Sequence, residues 1–284
     1  MVSDVSVTAA VLLAAGYGAV SLINKSMLDI ITSAGFCKRN YTGREIPTGA
    51  GVIFYLGATA ASPLFLFALS GRLTQLSSLF LFTLTFYTLL GLMDDCWGDG
   101  KYRGFKGHIK SLIEGRPTTG AVKALGGGLA AVYISLLNNA GPGRLAIIPL
   151  DALALALSVN TYNLLDLRPG RAGKVYLATA AVIIFLFSTS PPVVFLALTA
   201  GCLAAYLPAD LKGRAMMGDA GANALGAVMG LSVIWLFSVE AKLAYLLTLA
   251  AVNIISEKYS LTGIIASNRM LNFLDMLGRN RNEN

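Results

Sequence analysis

The chain reads as a series of long apolar runs broken by short polar segments. Runs of about 17–25 residues suffice to cross a bilayer as helices. Nine such runs occur, at roughly 5–24, 50–70, 76–93, 121–138, 146–165, 174–189, 191–207, 219–236 and 241–258. The last stretch, about 259–284, is too polar to span and reads as an amphipathic or loosely helical tail. The pattern predicts an all-α, polytopic transmembrane helical bundle of about nine to ten spans, forming a single domain over residues 1–284.

Composition sharpens that reading by exclusion. Of 284 residues, 55% are hydrophobic and 13% charged, against about 25% charge in a soluble domain. A soluble core of this length could not hide so much apolar sequence, so a water-soluble enzyme, a disordered tail and a disulfide scaffold are all excluded. Cys37, Cys96 and Cys202 lie far apart with no CxxC pair, which gives neither a zinc site nor a disulfide framework. The N-terminus shows no basic n-region or small-residue cleavage site, so the first run reads as a retained span.

The net charge of +7 follows from topology rather than from nucleic-acid binding. With nine spans and the 25–49 loop cytoplasmic, every Lys and Arg except Arg72, Arg144 and Lys242 falls on the cytoplasmic side. That asymmetry orients the chain with its N-terminus outside and its C-terminus cytoplasmic. The basic face also attracts anionic lipid and nucleotide phosphates.

The polar residues of the apolar runs gather on this same face. Asp94 and Asp95 end the third span. Asn160 and Asn163, one helix face apart by three residues, end the fifth with Asp166 beyond them. Asp219 opens the eighth span in Met217-Gly218-Asp219-Ala220-Gly221-Ala222-Asn223. Acidic residues beside apolar spans are costly and mark function by default. Carboxylates with an amide oxygen suit a hard cation such as Mg²⁺, and Lys and Arg suit a diphosphate. Glycines in Ile46-Pro47-Thr48-Gly49-Ala50-Gly51 and around Asp219 let backbone approach a ligand. The class these residues define is metal-assisted phosphoryl transfer at the membrane–cytosol interface. Each element alone has a plainer reading: a solvated helix end for the aspartate pair, interhelical hydrogen bonding for Asn163 and Asp166, an N-cap for Asp219. His108, the single histidine, reads as a solvated loop residue, and the glycine run 126–128 as close helix packing.

In this order the motifs resemble the polyprenyl-phosphate N-acetylhexosamine-1-phosphate transferase superfamily, the glycosyltransferase family 4 type that includes phospho-N-acetylmuramoyl-pentapeptide transferase and the N-acetylglucosamine-1-phosphate transferases. Residues 46–51 resemble its PTxGG motif, 91–95 its aspartate pair, Thr119-Gly120 with Lys123 its lysine-bearing segment, 160–170 its NxxNxxDGxDG motif and 217–226 its GDxGSxxxG motif. Three departures stand out. The second aspartate of DGxDG is Pro169, the serine of GDxGS is Ala222, and the histidine cluster of the muramoyl-pentapeptide branch is absent from 256–269. The last argues against a muramoyl-pentapeptide substrate.

The resemblance implies transfer of a sugar-1-phosphate from a UDP-sugar to a polyprenyl (undecaprenyl) phosphate with release of UMP. The setting is a bacterial plasma membrane, with the active site on the cytoplasmic face and a cell-envelope glycan as the destination. It implies Mg²⁺, with Mn²⁺ as an alternative, held by Asp219 and Asn163. It assigns Asp94 and Asp95 to the lipid phosphate or the metal, Asp166 to the nucleotide pocket and Lys123 to the diphosphate. Thr48, Lys38, Asn160 and Arg269 become substrate-binding candidates. A homodimer is the assembly it suggests. Two other readings stand beside this one. The first is a catalytically degenerate homologue that binds lipid or nucleotide as a scaffold, which Pro169 and Ala222 favour. The second is a transporter, whose polar sites would lie near the bilayer midplane rather than at helix ends.

Overall fold

The computed structural model describes residues 2–68, 72–98, 118–141 and 143–279. Nine long helices among these residues coincide with the nine apolar runs. They are α1 (Val2–Ser33), α2 (Val52–Ala68), α3 (Arg72–Trp97), α4 (Thr119–Asn138), α5 (Ile148–Leu165), α6 (Arg171–Leu186), α7 (Val193–Leu211), α8 (Gly218–Leu236) and α9 (Val239–Lys258). The tail forms two short helices, α10 (Leu261–Ser267) and α11 (Arg269–Met276). His108 and the basic loop residues from Lys101 to Arg116 lie outside the described residues.

Seven of these helices are long and apolar enough to cross a membrane, which makes the chain a multi-pass membrane protein. The two that fall short are α2 and α6, with 17 and 16 residues. At 1.5 Å per residue, 16 residues rise about 24 Å, less than the roughly 30 Å hydrocarbon core. The apolar pattern located both helices but could not distinguish a full crossing from a shorter one.

Among the described residues, one hairpin departs from an all-helical chain. Cys37–Arg39 (β1) and Glu45–Pro47 (β2) pair antiparallel, Lys38 opposite Ile46. The turn is built by Asn40, whose Oδ1 accepts the N–H groups of Thr42 at 2.9 Å and Arg44 at 3.0 Å. An asparagine folding back on the backbone two residues on is a turn device that hydropathy does not register.

Helix starts follow local chemistry. Thr118, Ser238 and Ser260 accept the N–H three residues on, at α4, α9 and α10, and Asn268 accepts two N–H groups at the start of α11. Each satisfies donors that a helix start leaves unpaired. The centre of the fold is α7 and α8, most of whose residues are buried, while few residues of α1 and α9 are. Close contact depends on small residues, as in other membrane bundles. A Cβ on Gly201 of α7 would lie 2.0 Å from the Leu13 carbonyl oxygen of α1. The glycine run 126–128 is not the close packing expected of it: a Cβ would meet only ordinary contacts at Gly126 and Gly127 and open space at Gly128, although Tyr87 of α3 does donate its hydroxyl to the Gly127 carbonyl of α4 at 2.7 Å.

At the end of α5 away from Asp166, Lys242 of α9 donates to the fully buried Asp151 of α5 at 2.8 Å. Asn139 donates to the other Asp151 oxygen at 2.9 Å. Breaking a buried pair strands one charge and costs about 3–5 kcal/mol, whereas replacing both partners by apolar groups can be neutral. Lys242→Met alone is therefore expected to lower the thermal unfolding temperature of the purified protein sharply. Lys242→Met with Asp151→Leu is expected to recover most of that loss, as read by a thermal melt in detergent.

Candidate active site

The site begins where the end of α3 meets the start of α8. Gly91 makes the approach possible, since a Cβ there would stand 2.2 Å from the Asp219 carbonyl oxygen. One turn on, buried Asp95 turns its carboxylate onto the first turn of α8. Its Oδ1 accepts the Asp219 N–H at 3.1 Å and its Oδ2 the Ala220 N–H at 2.9 Å. Unpaired N–H groups and the positive end of the helix dipole make this the favoured place for a carboxylate. Gly218 holds φ +68° beside it, and a Cβ there would sit 2.5 Å from Asp95 Oδ2.

The glycine-rich segment after β2 closes the same corner. Met216 donates its N–H to the Pro47 carbonyl at 2.8 Å, and Gly51 donates to the Met217 carbonyl at 2.9 Å. Gly51 and Gly221 meet backbone to backbone, for a Cβ on Gly51 would fall 2.0 Å from Gly221 Cα. Three motifs that lie apart in the sequence, at 46–51, 91–95 and 217–226, thus share one junction.

Asp94 points elsewhere than its neighbour. Its carboxylate and that of Asp219 share one cation, Lys123 of α4, which reaches both. The Lys123 ammonium donates to Asp219 Oδ2 at 2.5 Å and stands 3.8 Å from Asp94 Oδ2. All three side chains are partly exposed, so the group is open to a ligand. Beside it, between α3 and α4, a small apolar cleft of about 130 Å³ is lined by Leu90, Met93, Thr119, Val122 and Lys123.

The other predicted residues divide. Lys38, exposed on β1, acts electrostatically on both Asp94 and Asp95. Thr48 is buried in the Pro47–Gly51 segment. Asn163 donates to Asn223 Oδ1 at 2.6 Å. Asn223 is four residues after Asp219 on α8, so Asn163 stands one helical turn from that carboxylate. Asp166 caps the end of α5, and burial followed by repulsion from Asp210, Asp219 and Asp95 raises its carboxyl well above the ordinary carboxylate range. Asn160 instead pairs with Asn253 of α9. Arg269 is exposed at the first position of α11 and is not brought to the Asp94–Lys123–Asp219 group.

Two groups at the site went unmarked by the pattern of polar residues. Asn223 is fully buried, and its spacing from Asp219 was the available signal. Asp210, near the end of α7, accepts the Gly170 N–H at 2.9 Å, where Gly170 holds φ +71°. It therefore fixes the start of α6 as Asp95 fixes that of α8. Nothing local in the sequence tells which helix start a distant carboxylate will meet.

No group of three or more His, Cys, Asp or Glu side chains able to hold a metal occurs among the described residues. What the site offers a cation is smaller: Asp219, with Asn163 Oδ1, a buried amide oxygen that has no hydrogen-bond partner. One carboxylate and an amide oxygen fit Mg²⁺, which keeps waters and takes phosphate oxygens rather than an all-protein cage.

Acid and lysine side chains at helix ends of a polytopic bundle suit the transfer of a phosphorylated group. Comparison with known families agrees: the family model of glycosyl transferase family 4 matches residues 77–237, more than half the chain. The chain belongs to that family, whose members pass a phospho-sugar to a lipid carrier. No curated protein matches the chain.

The two neighbouring aspartates should separate by experiment. Asp95→Asn replaces a double acceptor by a group with one acceptor, against a helix start that needs two. Charge-assisted hydrogen bonds are worth about 1.5–3 kcal/mol each, so its melting temperature is expected to fall by several degrees. Asp94→Asn, which caps no helix and gives up one 3.8 Å ion pair with Lys123 rather than bonds to a helix start, is expected to lower the melting temperature less than Asp95→Asn does.

Proposed function

We propose that the chain transfers a sugar-1-phosphate, N-acetylhexosamine-1-phosphate as the first choice, from a UDP-sugar to a polyprenyl phosphate with release of UMP. The product initiates a cell-envelope glycan on the cytoplasmic face of a bacterial plasma membrane. In this reading all nine long helices insert, the N-terminus lies outside and the C-terminus in the cytoplasm. The observation that carries the proposal is the convergence of Lys123, Asp219 and Asp94 at helix ends, beside an apolar cleft. A soluble nucleotide sugar can reach such a group from one side and a lipid phosphate from the other. Sites of transporters lie at the bilayer midplane, which opposes the transporter reading.

The residues take these roles. Lys123 binds the diphosphate of the donor and orients it against the acids. Asp94 positions the lipid phosphate, a group with a second pKa near 6 that is largely dianionic at neutral pH and needs little help from a base. Asp95 acts by holding the start of α8, and with it Asp219, in place. Asp219 and Asn163 would hold Mg²⁺, which supplies charge neutralisation of the diphosphate and the leaving UMP. Asp166, with its raised affinity for a proton, lines the nucleotide side as a hydrogen-bond donor or acceptor, and Lys38 and Thr48 edge it. The polyprenyl chain runs out along the cleft of Leu90, Met93 and Val122. The degenerate reading retains Pro169 and Ala222 as its support, and the assay below decides between the two.

UMP release is measured from purified protein given undecaprenyl phosphate, Mg²⁺ and a panel of UDP-sugars. Release that requires lipid, metal and an intact Asp219 is expected, with Asp219→Ala lowering kcat by at least about a hundredfold, the scale of losing one electrostatic contact to the reacting group. No release from any donor by folded protein would make the scaffold reading the better one. Lys123→Ala is expected to raise KM for the UDP-sugar more than KM for the lipid. Equal effects on both would reduce Lys123 to a structural role.

A further inference from the structure

Helix α11 is inside out for a helix that meets water. Met270, Phe273, Leu274 and Leu277 follow the i, i+3, i+4, i+7 spacing of one helix face, and all four are exposed. Asp275, on the opposite face, and Arg279, three residues past the end of the helix, turn into the protein. Asp275 receives two bonds from Arg171 of α6, at 2.8 and 2.9 Å, and a third from Arg279 at 2.6 Å. Arg279 also donates to the Pro169 carbonyl at 2.9 Å, and Lys174 donates to the carbonyls of Leu274 and Leu277. Burial alone would raise the Asp275 carboxyl, but Arg171 and Arg279 outweigh it and hold the group below the ordinary carboxylate range.

We infer that α11 lies in the interfacial layer of the bilayer the chain itself spans, with its apolar stripe among the outer ends of the acyl chains and its polar side clamped to the turn between α5 and α6. A short helix gains by burying such a stripe at the head-group boundary, and an exposed stripe of this kind in water has no compensation. The stripe continues a lipid-facing surface. Spanning helix α9 exposes Leu247, Ile254 and Ile255 along its length, and Tyr259 and Ile264 carry the exposed apolar surface on into the tail. The clamp explains why the polar side cannot face water instead: Arg171 and Asp275 are both buried, and releasing either would strand a charge. The inference does not depend on the transfer reaction.

The test uses the full chain in lipid nanodiscs, in a Cys37→Ser/Cys96→Ser background that leaves buried Cys202 untouched. Nitroxide labels are placed one at a time at Phe273→Cys, Met270→Cys and Asn272→Cys, and collision rates with oxygen and with a water-soluble nickel complex are measured. The expected result is an oxygen-to-nickel ratio several-fold higher at positions 273 and 270 than at 272. Equal ratios at the three positions would put the stripe in water and overturn the inference. Low access to both reagents at 273 and 270, with spin–spin broadening, would overturn it in favour of contact with a second copy of the chain.

Discussion

The contact on which the site depends is the grip of the Asp95 carboxylate on the start of α8. It joins two helices that the chain separates by more than a hundred residues, and it does so at the first turn of α8, where Asp219 is borne. Two N–H groups that would otherwise be unpaired at the membrane boundary are satisfied by one buried side chain. The position of Asp219 relative to Lys123 and Asp94 is then a consequence of helix geometry, not of a flexible loop. Asp210 repeats the device at the start of α6, where it fixes the turn that follows Asp166. Two carboxylates in the bundle thus act on backbone, and they set where the chemically available ones stand.

These grips require that helices approach closely, which is where the glycines enter. Gly91, Gly51 and Gly218 lie at the junction itself, and a methyl group at any of them would collide with Asp219 backbone, Gly221 backbone or the Asp95 carboxylate. The backbone hydrogen bonds between the Pro47–Gly51 segment and Met216–Met217 stand beside the contact of Gly51 with Gly221, where a side chain on Gly51 would push the two segments apart. The small residues of these motifs therefore serve assembly as much as ligand access.

Much of this was legible from the chain. Hydropathy located all nine long helices, since burial in lipid or in a helical core demands apolar length. The acids were recognisable because charge beside apolar runs is expensive. Three things escaped. Whether α2 and α6 cross fully depends on a few residues of length that hydropathy blurs. The hairpin rests on one Asn40 side chain. The division between Asp94 and Asp95 is invisible in sequence, because adjacent helical residues point about 100° apart and only the packing partner says which way is inward. Asn223 and Asp210 escaped for the same reason: their roles come from a facing helix. Asn160, assigned by motif position, turns to Asn253 on α9, and Arg269, a charge near the right end of the chain, is left exposed on the tail.

The Lys242–Asp151 pair has an evolutionary consequence. Either charge alone, buried at the far end of the bundle, is a liability that the opposite charge of the other offsets, Asn139 supplying Asp151 with a hydrogen bond but no charge. A descendant that loses one must lose or replace the other at nearly the same time, through an intermediate of reduced stability. In a set of diverged sequences the two positions should therefore hold either both charges or neither. A lineage that abandoned the pair for apolar residues would give up nothing at the opposite membrane face, where the acids stand.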